Sequence, residues 1–225
     1  MEYAALEKSA LFSGIPAKEL RQALEAVPYH IRRYDKGEIL FHLMEDADRI
    51  GILLEGSVQA QKPFPNGSQI NVSVRRPGEI IGAAAAFSEG QKYPCDIVAL
   101  APSTILLLRK EDVLLLLQKD VRMMHHLMSE LATAAYMLQQ RLELLSYSGI
   151  AQKAACYLLM QARQSGKSVI RIPGSVSNWA MVMNVSRSSL HRELRKLEAA
   201  GILSFAPPTI EILDHDALQN VLSKA

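Results

Sequence analysis

Between Ser175 and Leu203 the chain reads SVSNWAMVMNVSRSSLHRELRKLEAAGIL, and its apolar and polar positions alternate with helical period in two short segments. In the second segment Leu190, Leu194 and Leu197 are spaced by four and three, which sets them on one buried stripe. Arg187, Ser188, His191, Arg192 and Arg195 fall off that stripe. Ser177 is placed to cap a first helix through Met183, and Ser186 to cap a second running to about Ala200, because a serine oxygen accepts a free backbone N–H there. Asn184-Val185 makes the tight break between them, and Gly201 supplies the left-handed stop. Beyond it the period falls to two: Ile202 to Phe205 and Thr209 to Ile212 alternate as strands, with Ala206-Pro207-Pro208 turning the chain. Two short helices with Arg, Ser and His facing outward, followed by a hairpin, form the layout of a winged helix-turn-helix that reads DNA. An ordinary helical hairpin with a solvated basic face has the same local pattern.

Upstream, residues 4 to 27 read as helical, interrupted at Ser13-Gly14-Ile15-Pro16, with Leu20, Leu24 and Val27 on one face. From Tyr29 short strands follow at regular spacing: 29–33, 38–42, 49–54, 57–62, 70–74, 96–100 and 104–109. Asp35-Lys36-Gly37 and Asn66-Gly67 are turn signals between them. This is the pattern of a jelly roll. The stretch 75–100, RRPGEIIGAAAAFSEGQKYPCDIVAL, interrupts it with glycine-flanked Glu79-Ile80-Ile81 and the small-residue run Ala83 to Ala86. It reads either as the wall of a small-molecule pocket or as a surface loop whose short helix covers the barrel mouth.

After a helical piece at Glu111 to Leu117, the apolar residues Val121, Met124, Met128, Leu131, Ala135, Leu138, Leu142 and Leu145 are spaced 3,4,3,4,3,4,3. That is an unbroken heptad seam, and about 25 residues of helix span ~38 Å. A second stripe, Met123, Leu127, Ala134, Met137 and Leu144, is suited to cover the β-roll. One face for its own domain and one for a second copy predict a two-fold dimer, with Met124, Met128, Leu131, Ala135, Leu138, Leu142 and Leu145 as the seam. Ser146-Tyr147-Ser148-Gly149 is the natural hinge. A helix from Ile150 to Gln164, a strand at 169–173 and a last helix capped by Asp214 complete the C-terminal part. The expected fold class is α+β: a β-roll (jelly roll) domain over 1–110, a long dimerisation helix over 111–147 and a winged helix-turn-helix DNA-binding domain over 148–225.

Charge sharpens this division. From Gly149 onward there are nine Lys+Arg against five Asp+Glu, and sixteen against eighteen before it, so the C-terminal part is the basic one, as phosphate contact requires. No apolar run reaches membrane-spanning length, and MEYAALEKS lacks the basic start and apolar core of a secretion signal, so a cytoplasmic protein with no membrane partner is expected. Two cysteines, Cys95 and Cys156, are too few for a disulfide framework and read as buried thiols. H-E-x-x-H, G-x-S-x-G and P-loop patterns are missing, which argues against an enzyme. A ligand-binding module acting on a protein partner without DNA is the alternative class.

The order of these parts resembles the Crp–Fnr family of bacterial transcription regulators over essentially the whole chain. The resemblance rests on Leu11-Phe12-Ser13-Gly14-Ile15, Lys36-Gly37-Glu38, Leu54-Glu55-Gly56-Ser57-Val58, Pro77-Gly78-Glu79-Ile80-Ile81-Gly82 and Val185-Ser186-Arg187-Ser188-Ser189-Leu190-His191-Arg192-Glu193-Leu194. It implies a cyclic-nucleotide-binding-like β-roll, a homodimer on double-stranded, pseudo-palindromic DNA, control by a small-molecule effector and, for an activator, contact with RNA polymerase. Ser177, Ser186, Arg187, Ser188, Ser189, His191, Arg192 and Arg195 are the expected DNA-binding set. In the family's recognition helix a glutamate often reads cytosine where this chain has Ser188; Arg192 matches the family's arginine, and His191 stands where relatives carry a small residue. A different base preference follows.

The expected effector pocket comprises Gly78, Glu79, Ile80, Ile81, Gly82, Ala83, Ala84, Tyr93, Pro94 and Cys95. Where cyclic-nucleotide binders of the family place a glutamate for the ribose and an arginine with a serine or threonine for the phosphate, this chain has Ala83 and Tyr93-Pro94. A phosphate buried without its arginine is costly. Poor binding of cyclic AMP is therefore expected, and a mostly uncharged or aromatic effector; a cyclic-AMP-dependent regulator is the alternative within this class. Two cysteines cannot hold the four-cysteine iron–sulfur cluster of the oxygen-sensing branch. Haem remains an option through His42, His125 or His126; no metal site is expected otherwise.

Overall fold

The computed structural model describes residues 6–63 and 69–223. The chain divides into two compact units, Met1–Ala134 and Ala135–Ala225. The first is the β-roll. Strands β1 (His30–Tyr34), β2 (Ile39–Phe41), β3 (Arg49–Glu55), β4 (Val58–Pro63), β5 (Gln69–Arg75), β6 (Ile80–Ile81), β7 (Asp96–Ala99) and β8 (Ser103–Arg109) form two antiparallel four-stranded sheets, ordered β1-β8-β3-β6 and β2-β7-β4-β5. The two share one core. Ile52, Leu53, Ile105 and Leu106 in the central strands are fully buried, each worth roughly 1.5–3 kcal/mol of transfer free energy. Sequence alternation missed β6, because a two-residue strand has no period to read; it pairs with Gly51 and Ile52. The Asn66-Gly67 turn signal lies outside the described residues.

The N-terminal segment is less helical than its composition suggests. Among the described residues, 6 and 7 are helical, and the regular helix of this segment is α1 (Ala17–Glu25). Residues 8–14 are turns whose Leu11 and Phe12 enter the core, and the Ala10 amide donates to the Gly78 carbonyl at 2.8 Å. Leu6, Leu11 and Phe12 are spaced by five and one, so no helix puts them on one face.

Gly56 closes the turn between β3 and β4 with φ +89°, and an added Cβ would fall 2.7 Å from Ser103 Cα and closer still to the Pro102 carbonyl. Those are backbone atoms that cannot step aside. Gly56→Ala is therefore expected to destabilise the first unit by about 2 kcal/mol or more, read as a lowered melting temperature.

A four-residue helix α2 (Ala83–Ala86) follows β6, entered through Gly82 at φ +82°. Helix α3 (Lys110–Lys119) packs behind β8 and ends at Asp120, whose backbone is extended. Helix α4 (Val121–Ser146) starts afresh there: the Asp120 carboxylate accepts the Arg122 amide at 2.9 Å. Hydrogen bonds from the Arg122 side chain and backbone hold that carboxyl below the usual range. The 26 residues of α4 form one continuous helix.

The heptad seam is solvent-facing. Met128, Leu138 and Leu142 are 64%, 60% and 62% exposed, an apolar row that a lone soluble helix does not leave open. The second stripe departs from expectation. Met123 and Leu127 do enter the β-roll core, but Leu144 is buried in the core of the second unit, and Ala134 and Met137 are exposed. Five positions on one stripe over 22 residues outrun the β-roll.

In the second unit, α5 (Ile150–Ser165) follows the non-helical Tyr147–Gly149 and ends at Gly166, φ +66°. Helices α6 (Val176–Val182), α7 (Arg187–Ala199) and α8 (His215–Leu222) surround it. Strands β9 (Val169–Arg171), β10 (Leu203–Ala206) and β11 (Thr209–Ile212) form a three-stranded antiparallel sheet in the order β10-β11-β9. Asp214 caps α8 through the Ala217 amide at 2.8 Å.

Candidate nucleic-acid interface and effector cavity

Helix α7 is held on one side only. Leu190 and Leu194 are fully buried and Leu197 nearly so, against Trp179, Ala180 and the α5 core. Ser186 organises the N-terminus: its hydroxyl accepts the Ser189 amide at 3.0 Å, donates to the Ser189 hydroxyl at 2.8 Å and lies 3.1 Å from that of Ser188. Asn184 takes a positive φ of 53°, which lets the Val185 amide reach the Ala180 carbonyl at 3.0 Å. The turn between α6 and α7 is thereby closed.

The cap of α6 is Ser175 and not Ser177. Ser175 Oγ accepts the Asn178 amide at 3.1 Å, and the Ser175 carbonyl accepts the first helical bond, from Trp179, at 2.9 Å. Starting at Val176 seats Trp179 and Ala180 in the core. Ser177 lies in the exposed first turn.

Arg187, Ser188, His191, Arg192 and Arg195 are all exposed, while Ser189 is half-buried beneath the cap. A groove of about 450 Å3 gathers Ser177, Arg187 and His191 with Phe205 and Pro207-Pro208 of the wing. Ser188 and Arg192 lie outside that groove. Among the described residues Arg187 and Arg192 form no ion pair or hydrogen bond; both guanidiniums are free to make two parallel bonds to guanine or to phosphate.

Arg195 has other work. It pairs with Glu198, and its guanidinium lies 5.3 Å over the Phe205 ring. The other oxygen of Glu198 accepts the Phe205 amide at 3.0 Å, and His191 meets the same ring edge-on at 5.5 Å. The Phe205 amide first, and Arg195 next, hold the Glu198 carboxyl below its usual range. This clasp ties the readout helix to β10. Glu198 and Phe205 are seven residues apart across a turn, and no local pattern in the sequence marks the contact.

In the first unit a cavity of about 240 Å3 forms where the glycine-flanked stretch meets α4. Of the expected pocket residues, Ile80, Ile81, Gly82, Ala83, Ala84, Tyr93, Pro94 and Cys95 line it; Gly78 and Glu79 do not. Gly78 is tied into backbone bonds with Leu53 and Ala10, and Glu79 lies 3.6 Å from Arg75. Residues outside the expected set also line the cavity: Ser73 and Arg75 of β5 and Glu130, Leu127, Leu131 and Ala134 of α4.

Tyr93 is locked. It stacks on Phe41 at 4.4 Å, its hydroxyl donates to the Arg49 carbonyl at 2.8 Å, and burial pushes its pKa up to about 12. An added Cβ at Gly82 would press 3.1 Å against the Tyr93 ring, and the φ of +82° strains any residue but glycine there. Burial also pushes the Cys95 thiol up, and that of Cys156 to about 11, which leaves both protonated and poorly nucleophilic near neutrality. Of the histidines weighed for haem, none lines this cavity: His42 lies at a separate one of about 230 Å3, and His126 Nδ1 is 3.0 Å from the Leu11 carbonyl. No helix among the described residues is long and apolar enough to cross a membrane.

Comparison with known proteins meets this geometry at both ends. Residues 31–120 match the model of the cyclic nucleotide-binding domain, and residues 152–221 that of the Crp-like helix-turn-helix domain. The chain is similar to the cyclic AMP receptor protein of Thermus thermophilus, 24% identical over 96% of this chain and 98% of that one. It is similar also to the global nitrogen regulator of a Synechocystis species, at 22% identity over 88% and 91%. The solved Thermus thermophilus catabolite activator protein shares the fold with a TM-score of 0.57, at 24% identity over 96% of this chain and 99% of that one. With the two domain models in this order on one chain, and relatives aligned along nearly all of it, the chain belongs to the Crp–Fnr family of DNA-binding transcription regulators.

Proposed function

We propose that the protein acts in the cytoplasm as a homodimer paired along the α4 seam, each copy laying α7 in the major groove of a pseudo-palindromic duplex. The observation that carries this reading is the pair of unengaged guanidiniums, Arg187 and Arg192, on the exposed face of a helix whose other face is fully buried. Arg192 reads guanine, Ser188 reads a base edge or a phosphate, and the wing follows the backbone; half-sites lie about one helical turn apart. As an activator the dimer would engage RNA polymerase. No enzymatic step belongs to this reading.

Control comes from a small molecule in the 240 Å3 cavity. Leu131 supports it: the side chain belongs to the seam spacing and also lines the cavity. A ligand that packs better against one position of that turn biases the dimer toward it, and only such a difference in affinity shifts the population. Cyclic AMP is a poor fit at its ribose and not at its charge, since Arg75 lines the cavity and can meet a single phosphate charge. Ala83 offers a methyl group where a ribose needs an acceptor, and Pro94 has no N–H to donate.

Operator selection from a random duplex pool, followed by anisotropy titrations across salt concentrations, tests the reading. A two-fold consensus is expected, with affinity falling steeply as salt rises, since each phosphate contact releases counterions. A pool that never enriches, or salt-independent binding, would sink the DNA reading. Millimolar cyclic AMP is expected to leave the affinity unchanged; a sharp tightening would overturn the cavity argument.

A further inference from the structure

We propose that the effector is a small apolar monocarboxylate, its anionic group held by Arg75 and Ser73 of β5. The inference deepens the effector reading above and rests on it. Strand period places Ser73 and Arg75 on one face of β5, and both line the cavity. Apolar side chains, Ile80, Ile81 and Leu131 among them, line the same cavity.

The donors are few, and they select the ligand. The Tyr93 hydroxyl is spent on the Arg49 carbonyl. Pro94 has no N–H. Arg75 is the one cation lining the cavity among the described residues, and its one partner among them is Glu79, at 3.6 Å across half-exposed side chains. That pair is too long for a good hydrogen bond and too exposed to be worth much. A carboxylate can displace it with two parallel bonds to the planar guanidinium and a third from Ser73. Glu130 is the second charge at the cavity, and its carboxylate penalises a second negative group on the ligand. One charge is therefore favoured over two. The volume of about 240 Å3 lies under the roughly 300–1,000 Å3 usual for drug-sized ligands, which points to a single ring or a short chain.

The test uses the full-length protein and three probes: benzoate, hexanoate and the neutral isostere benzamide, by calorimetry and ligand-observed NMR. At least one carboxylate is expected to bind about tenfold or more tightly than benzamide. Arg75→Gln should erase that preference, and Arg75→Lys should keep part of it. Equal binding of benzamide, an unchanged carboxylate affinity in Arg75→Gln, or no carboxylate binding at millimolar concentration would each overturn the proposal. Operator affinity measured with the same probes separates the two readings. Benzamide matching benzoate while altering DNA binding leaves the cavity as the control site and removes only the anionic class. Benzoate binding through Arg75 with no effect on DNA leaves the class standing and removes the control.

Discussion

Arg192→Ala is expected to weaken binding to the selected operator by about ten- to a hundredfold while leaving the dimer and the melting temperature as they are. The magnitude is that of one bidentate arginine–guanine contact, roughly 1–3 kcal/mol. No stability cost is added, because Arg192 is exposed and has no partner among the described residues. Arg195→Ala serves as the contrast: it also removes Glu198's partner and the cation over Phe205, so its effect on DNA should come with a lower melting temperature. Anisotropy against the operator and against a scrambled duplex separates readout from charge. A loss confined to the operator marks base recognition; equal losses on both would reduce Arg192 to a phosphate contact, and unchanged operator binding would remove it from the interface.

Leu138→Lys is expected to turn the dimer into monomer at micromolar concentration, seen as a halved mass by light scattering. Leu138 stands 60% exposed near the middle of α4, between Ala135 and Leu142 on the same stripe. Around it residues 132–139 are exposed on every side of the helix among the described residues. A lysine on each facing helix buries two like charges where two leucines would interlock, and that penalty exceeds what the rest of a short seam recovers. Operator affinity should fall with the dimer, since a single half-site retains only one set of contacts. An unaltered mass would show that the row pairs with something else or with nothing.

What could be read along the chain was whatever repeats locally. The seam announces itself because 3,4 spacing over eight residues has one geometric meaning, and α7 because Ser186, the leucine stripe and Gly201 agree with one another. The first cap was misplaced by two residues. Ser175 and Ser177 satisfy the same local rule, and the helix that begins at Val176 is the one that carries the buried Trp179. Half of the cavity was equally hidden. The pairing of β4 with β5 brings Ser73 opposite Ala60 and Arg75 opposite Val58, and nothing in the strand itself says what that face will meet. Leu144 was assigned to the wrong core for a related reason: periodicity tells which side of a helix is buried and not what buries it.

The separation between Arg195 and its neighbours on α7 has a bearing on how such a regulator changes over generations. Arg195 and Glu198 fasten the helix to Phe205, whereas Arg187 and Arg192 carry no part of the scaffold. If the proposed readout holds, a codon change at either of those two positions would alter the operator without breaking a contact among the described residues. On that reading new target genes would be acquired one substitution at a time, while the fastening three residues further on stays in place.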